Sequence, residues 1–260
     1  YIATHDGSTI ISAQACKQLQ LIRRVNTVSK GVPASKQSTD TSSLPKILEE
    51  YPDVFKGLGC LPGKHSITVD NTVKPVVHPP RRVPPALKGR IKNELDRMEK
   101  DGVVVRQIEP TPWVNSMVTV VKPKKVRICI DPRDLNKAIQ REHFPMKTIE
   151  EIISDMPNAK VFSVLDATSG FWQVQLDDES SKLCTFNTPF GRYRFTRLPF
   201  GIKSAPEVFQ RYMSQMLEGI PGAQPITGAD SIVDDILVWG STVEEHDLRL
   251  RQVLDRARAY

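Results

Sequence analysis

Three carboxylates stand where strongly apolar strands would ordinarily carry none. In Val161–Leu176 (VFSVLDATSGFWQVQL), Asp166 closes a run of strand-forming residues. In Ser231–Trp239 (SIVDDILVW), Asp234 and Asp235 lie inside another such run. An ionised carboxylate in a buried strand needs something to compensate its charge. Three on two strands point to a divalent-metal site built on a sheet, the equipment of two-metal phosphoryl transfer. A lone Asp-Asp pair is ordinarily a surface turn. Here Ile232, Val233, Ile236, Leu237 and Val238 flank the pair, which is unlike a turn. Successive strand residues face opposite ways. Asp234 is therefore expected to meet Asp166 across neighbouring strands, with Asp235 pointing elsewhere unless a hairpin turn re-aims it. Hard Mg²⁺ suits such oxygen ligands.

The elements that must hold these residues are legible from periodicity. After Pro85, the residues Leu87, Ile91, Leu95 and Met98 share a helix face that Gly102 ends. Met117–Val121 is an apolar strand. Val126, Ile128 and Ile130 alternate with Arg127 and Cys129, so Arg127 projects away from the aliphatics. The link Lys122-Pro123-Lys124-Lys125 makes these two strands a hairpin with a basic tip. A helix is expected near 147–156, a strand at 161–165, and an extended or strand-to-helix segment at 172–176. Thr188-Pro189-Phe190-Gly191 turns between two short strands. Val208, Phe209, Tyr212, Met213 and Met216 give 204–217 helical spacing. Thr242 caps the last helix, with Glu245 completing a capping box. Interleaved helices and strands define an α+β or α/β class.

The chain has 260 residues, 39% hydrophobic and 25% charged, enough for a sizeable core. No apolar run approaches the roughly 20 residues of a membrane helix, and no membrane partner is expected. The four cysteines, at 16, 60, 129 and 184, form no CxxC pair, which speaks against a zinc site or a disulfide framework. Reduced thiols of an intracellular protein are the simplest expectation. The net charge of +6 is unevenly spread. Residues 81–141 carry +8, residues 142–260 carry −5, and the first 80 carry +3. The middle third reads as a polyanion-facing surface, with a solvated basic face as the plainer alternative. Residues 26–48 read as a linker, and 73–85 (VKPVVHPPRRVPP) as an extended Pro-rich lead-in. Because the chain opens on Tyr1 and stops at Tyr260 inside a helical pattern, it is expected to be a fragment of a longer polyprotein.

Six segments, in order, resemble the reverse transcriptase of gypsy-type LTR retrotransposons. They are YPDVFKGLGCLPG, EPTPWVNSMV, VRICIDPRDLNKAIQREHFP, VFSVLDATSGFWQVQLDDESS, FGRYRFTRLPFGIKSAPEVFQR and IVDDILVWGSTVEEH, together spanning about 46–260. The resemblance implies an α+β right-hand polymerase fold. Fingers would lie mainly at 86–160, and a palm at 161–260 would carry the catalytic aspartates on an antiparallel sheet. It implies nucleotidyl transfer from a dNTP to a primer 3′-hydroxyl on an RNA or DNA template. Two Mg²⁺ ions, with Mn²⁺ as a substitute, would be held by Asp166, Asp234, Asp235 and the Ala167 carbonyl. By the same resemblance Arg127 contacts the triphosphate, with Lys122, Lys124 and Lys125 as candidates for a neighbouring lysine. Ser169, Gly170 and Phe171 border the incoming nucleotide, and Phe171 lies under its sugar while Trp172 is core. Phe200 and Gly201 line the nucleotide and template pocket, with Gly201 admitting a base or sugar close to the backbone. Arg133 and Asn136 fit the pattern, Arg133 mainly as a structural residue.

The first 25 residues, through ISAQACKQLQLIRRV, resemble the tail of the retroviral-type aspartic protease that precedes such polymerases. His5-Asp6-Gly7-Ser8 has the wrong order for a catalytic Asp-Ser/Thr-Gly, so no protease activity is expected. Further partners implied are the thumb, RNase H and integrase of the same Pol polyprotein, without which template–primer affinity would be poor. Cytoplasmic virus-like particles would be the location for an active element. Two departures bear on the site. EGIPGAQPITGADSIVDD holds about six or seven extra residues around 223–229, which either loop out and leave the strand intact or shift its register by one, exchanging the faces of Asp234 and Asp235 and losing the metal site. The hairpin tip KPKKVR is one residue short. The alternative function is a catalytically inactive remnant that binds nucleic acid or a partner through its basic segment.

Overall fold

The computed structural model describes residues 3–5, 8–10, 43–121, 126–156, 158–228 and 231–260; for 3–5, 8–10, 43–45, 149–150, 226–228 and 231–234 the description is of the backbone. Most of the protease-like stretch 1–25 and the lysines of the hairpin tip therefore lie outside the described residues. Strands β1 (Ala3–His5) and β2 (Ser8–Ile10) form a small antiparallel hairpin. Helix α1 (Ser43–Glu50) begins inside the expected linker and buries Ile47 completely. Ile47 and Tyr51, one helical turn apart, dock an apolar edge that a compositional reading of 26–48 overlooks. Strand β3 (Lys64–His65) follows in an otherwise irregular lead-in.

Helix α2 (Pro85–Lys100) has proline in its first turn, where the missing N–H costs nothing, and buries Ile91, Leu95 and Met98. Gly102, at φ +66°, turns the chain out of it into β4 (Val104–Arg106). Strands β5 (Asn115–Val121) and β6 (Val126–Asp131) pair antiparallel as expected, and β6 alternates buried Val126, Ile128 and Ile130 with half-buried Arg127 and Cys129. Next come α3 (Leu135–Ala138), α4 (Ile149–Ser154) and β7 (Val161–Asp166). A full capping box starts α4: Glu151 N–H donates to Thr148 Oγ1 (3.3 Å), and Thr148 N–H donates to Glu151 Oε2 (2.7 Å). After β7 come a 3₁₀ turn (Gly170–Gln173), β8 (Gln175–Leu176), α5 (Asp178–Leu183), β9 (Thr185–Thr188) and β10 (Gly191–Phe195). Helix α6 (Ala205–Leu217), β11 (Ala223–Gly228), β12 (Ser231–Gly240) and α7 (Val243–Ala259) complete the order.

Two sheets organise the chain. One has five strands in the order β4-β10-β9-β5-β6, so strands from either side of residue 160 share it. The other is the antiparallel β11-β12-β7, which carries the acidic residues. A continuous apolar core joins them, running from Ile91 and Leu95 through Ile128, Phe186 and Phe209 to Leu250 and Val253. At α7 the expected capping box is only half made. Thr242 accepts from Glu245 N–H, but the Glu245 carboxylate turns to the N–H of Ser241 (2.6 Å) and its hydroxyl, one residue earlier than a box requires. Among the described residues no helix is long and apolar enough to cross a membrane.

Candidate active site

The site starts from the pairing of β7 with β12. Six residues run in register, from Val161 opposite Gly240 to Asp166 opposite Asp235. Directly opposed residues of an antiparallel pair share a face, with Cα atoms about 5 Å apart. Asp235, not Asp234, is therefore the partner of Asp166, contrary to the sequence expectation. The cause is parity. Ile236 and Val238 are buried, and they pair with Leu165 and Ser163 on the side covered by helices. That places Leu237 and Asp235 on the other side with Val164 and Asp166. Asp166 is exposed at the strand end and Asp235 is half-buried. For Asp234 the description is of the backbone, within β12.

The extra residues around 223–229 do not simply loop out. Ala223–Gly228 pairs with β12 as β11, from Ala223 opposite Val238 to Gly228 opposite Ser231, with an irregularity between Ile226 and Gly228. The insertion thus lengthens the hairpin, and the acidic pair sits along β12 rather than at the turn.

Beyond Asp166 the chain reverses sharply. Ala167 is half-buried, and Ser169 adopts the left-handed conformation at φ 54°, the single non-glycine residue with positive φ among those described. Ser169 C=O accepts from Trp172 N–H (2.8 Å), closing the 3₁₀ turn around buried Gly170. Arg197 holds the end of this turn by donating to the carbonyls of Trp172 (3.3 Å) and Gln173 (3.4 Å). The turn drives Phe171 and Trp172 inward, each only 4% exposed, so the expected contrast between them is absent. Phe171 packs against Phe200 (ring centroids 5.0 Å) and edge-on to Phe209 (5.7 Å). The Arg127 guanidinium lies 4.9 Å above the Phe200 ring. Arg127, Phe200 and Phe171 thus form one stack joining β6 to the turn after Asp166, a contact between residues far apart in sequence.

Gly201 has a packing reason for being glycine beside the one expected. At φ +109°, an added Cβ would lie 2.8 Å from Ile130 C=O, so glycine is required for packing against β6. Asn136 fastens the same turn: its Nδ2 donates to Gly201 C=O (2.9 Å), and its Oδ1 accepts from Lys203 N–H (3.0 Å). Arg133 forks onto Asp131 (3.0 and 2.8 Å), and Arg81 of the Pro-rich lead-in reaches the same carboxylate (2.6 Å). The hydrogen bond from Arg133, reinforced by Arg81, holds the Asp131 carboxyl well down, at about 2. Part of the basic excess of 81–141 is thus spent internally, with Arg97 on Glu94 and Asp101, and Arg141 on Glu207.

Asp166 and Asp235 offer hard oxygen donors on one face, one of them open to solvent, a set that fits a hard divalent cation. No group of three or more potential metal ligands is present among the residues with described side chains, which exclude Asp234. Sequence reasoning missed Ser163 and His246, which meet behind Asp166 (Nε2 to Oγ, 2.8 Å). They are 83 positions apart, and no local pattern announces them.

Carboxylates paired across an antiparallel sheet, with Arg127 of the β5–β6 hairpin stacked on an aromatic shelf, fit a palm-and-fingers polymerase fold. The chain belongs to the family described as reverse transcriptase (RNA-dependent DNA polymerase), which residues 116–260 match. It is 35% identical to the retrovirus-related Pol polyprotein from transposon 412 of Drosophila melanogaster, over 84% of this chain and 18% of that one. It is 34% identical to an uncharacterized protein of Caenorhabditis elegans, over 94% of this chain and 19% of that one. The chain therefore spans about a fifth of the length of these curated relatives. Its fold matches a foamy viral protease–reverse transcriptase solved in complex with RNA/DNA hybrid, with a TM-score of 0.73 at 22% identity, covering 93% of this chain and 34% of that one.

Proposed function

We propose that this chain is the fingers-and-palm part of a gypsy-type retrotransposon reverse transcriptase. Its reaction is transfer of a nucleotide from a dNTP to a primer 3′-hydroxyl on an RNA or DNA template. Fingers lie mainly at 86–160 and palm at 161–260, and the first 25 residues are the tail of a preceding protease. The observation that carries this reading is Asp235 directly opposite Asp166, with the turn that follows Asp166 carrying Phe171 of the Arg127–Phe200–Phe171 stack.

Asp166, Asp235 and Asp234, with the Ala167 carbonyl, would hold Mg²⁺, or Mn²⁺ in its place. Bound there, the ions supply Lewis acidity to the phosphoryl oxygens and lower the pKa of the attacking hydroxyl. The chain's own residues orient the nucleotide. Arg127 presents a permanently charged fork to the triphosphate, and stacking on Phe200 keeps that fork at one height. Phe171 supports Phe200 from within the core, beneath the place proposed for the sugar. The left-handed Ser169 and Gly170 bring main-chain groups to the border of the nucleotide. Lys122 and Lys124, in the sequence between β5 and β6, would add positive charge for the triphosphate.

Single-nucleotide incorporation on an RNA template with a DNA primer, at low salt with Mg²⁺ and then Mn²⁺, tests the reading. Asp166→Asn and Asp235→Asn should each lower incorporation at least about a hundredfold, the several kcal/mol a metal-held transition state is worth. Incorporation indifferent to both changes and to chelation would sink it.

A further inference from the structure

Behind Asp166 lies a polar cluster that the proposed reaction does not use. Ser163 on β7 is 5% exposed, and its Oγ is 2.8 Å from Nε2 of His246 on α7. His246 is 2% exposed, and its Nδ1 is 3.0 Å from Oδ1 of Asp247. The order and spacing are those of a Ser-His-Asp relay. Ser163, however, lies on the sheet face packed beneath α7, closed to substrate, so a hydrolytic site is ruled out on access.

Its place in the fold suggests another use. In β11-β12-β7 the middle strand has partners on both sides, whereas among the described residues β7 is an edge, bonded to β12 alone. A strand's register matters in whole residues, because a slip of one moves every side chain to the other face. Ser163 precedes Asp166 by three, so the two face opposite ways. In the observed register Ser163 faces α7 and Asp166 faces Asp235. A one-residue slip would take Ser163 from His246 and Asp166 from Asp235 together. The helix end of this link is itself fixed. An added Cβ at Gly240 would lie 2.6 Å from His246 N, so glycine there lets α7 sit hard against the end of β12. Lys160 N–H, just before β7, donates to Gly240 C=O (2.9 Å). On β7 both faces carry apolar residues, Val161 and Leu165 on one and Phe162 and Val164 on the other, so its hydrophobic pattern alone specifies register weakly. A buried hydroxyl and ring nitrogen specify it strongly, because the slip strands both without partners.

We infer that the His246–Ser163 hydrogen bond is a register pin for the edge strand that carries Asp166, and that His246 is a positioning residue for the Asp166–Asp235 pair. Its consequence for catalysis rests on the polymerase reading; the strand pairing does not.

Two cysteine pairs read the register directly. Asp166→Cys with Asp235→Cys reports the observed pairing, and Asp166→Cys with Asp234→Cys reports a slip of one. Disulfides formed on mild oxidation are quantified by peptide mass spectrometry. The 166–235 bridge should dominate in the parent. With His246→Leu or Ser163→Ala, the ratio of 166–235 to 166–234 bridges should fall about tenfold, the worth of one buried hydrogen bond. His246→Gln, whose amide can reach the Ser163 hydroxyl, should keep the parent ratio. Ser163→Ala is the smaller change, and its far-ultraviolet circular dichroism verifies the fold should His246→Leu fail to fold. An unchanged ratio in folded Ser163→Ala overturns the pin. In single-nucleotide incorporation, His246→Leu should lower kcat about tenfold and leave the KM for dNTP within about twofold. A shifted bridge ratio with unchanged kcat, or a parent with no incorporation, would retire the polymerase reading while the pin stands.

Discussion

Gly201 shows how a single residue can join two parts of the site. It is glycine because Ile130 C=O leaves no room for a side chain, and its carbonyl is held by Asn136. Gly201→Ala combines a backbone clash with a disfavoured φ and should cost at least about 2 kcal/mol, read from urea unfolding. Asn136→Ala removes two hydrogen bonds from the same turn and should cost about 1–2 kcal/mol. Arg127 gives a sharper functional test. Arg127→Lys keeps the charge but loses the planar fork and much of the stacking on Phe200. The expected result is a KM for dNTP raised about tenfold with the fold intact, against a small effect if charge alone matters. These roles were partly legible. Phe200, Gly201, Asn136 and Arg127 stand in recognisable motifs, but their mutual contact does not follow from any of those motifs singly.

At the scale of elements, α1 is the clearest addition to the sequence reading. It lies against α7 through Ile47 and Tyr51, and charged groups surround that contact. Tyr51 Oη donates to Asp255 (2.8 Å), Arg258 forks onto Asp53 (2.7 Å on both arms) and Arg251 reaches Glu50. The exposed pairs contribute little each, so the buried aliphatic carries the docking. Ile47→Ala should destabilise the protein by about 2–4 kcal/mol, whereas Arg251→Ala should change stability by less than about 0.5 kcal/mol, both from denaturant midpoints. The helix was missed because Ser, Thr, Lys and Pro dominate its surroundings. What makes it fold is one apolar edge finding a partner about 200 residues away. The hairpin at 223–240 was misread for a related reason. The count of extra residues suggests a loop, but the edge of β12 supplies hydrogen bonds that a loop would leave unused.

At the scale of the molecule, one apolar core joins the two larger sheets, so perturbations at their seams should report globally. Arg81 and Arg133 converge on Asp131 where the Pro-rich lead-in meets β6. The Asp131 carboxyl is depressed from 3.8 to about 2, chiefly by the Arg133 hydrogen bond. A depressed acid stabilises the fold above its ordinary range and loses that contribution as pH falls through its folded value. Stability should therefore decline between about pH 4 and pH 2, and Asp131→Asn should flatten that part of the profile. The basic face of 81–141 predicts nucleic-acid binding that weakens at least about tenfold between 50 and 200 mM salt. Titration by fluorescence anisotropy would measure it, and a salt-independent affinity would argue against phosphate contacts.

Periodicity and motif order by themselves determined the helix at 85–100, the β5–β6 hairpin, the helix at 205–217 and the two strands on which the three acidic residues lie. Those features depend on repeats of two or of 3.6 residues, which any local stretch displays. Tertiary structure alone decided which of the adjacent aspartates faces Asp166. The answer turned on the burial of Ile236 and Val238 against helices, and so on partners distant in sequence. The same holds for the Arg127–Phe200–Phe171 stack and for His246 behind Ser163. A strand's two faces are equivalent until something packs on one of them, and only the assembled fold supplies that something.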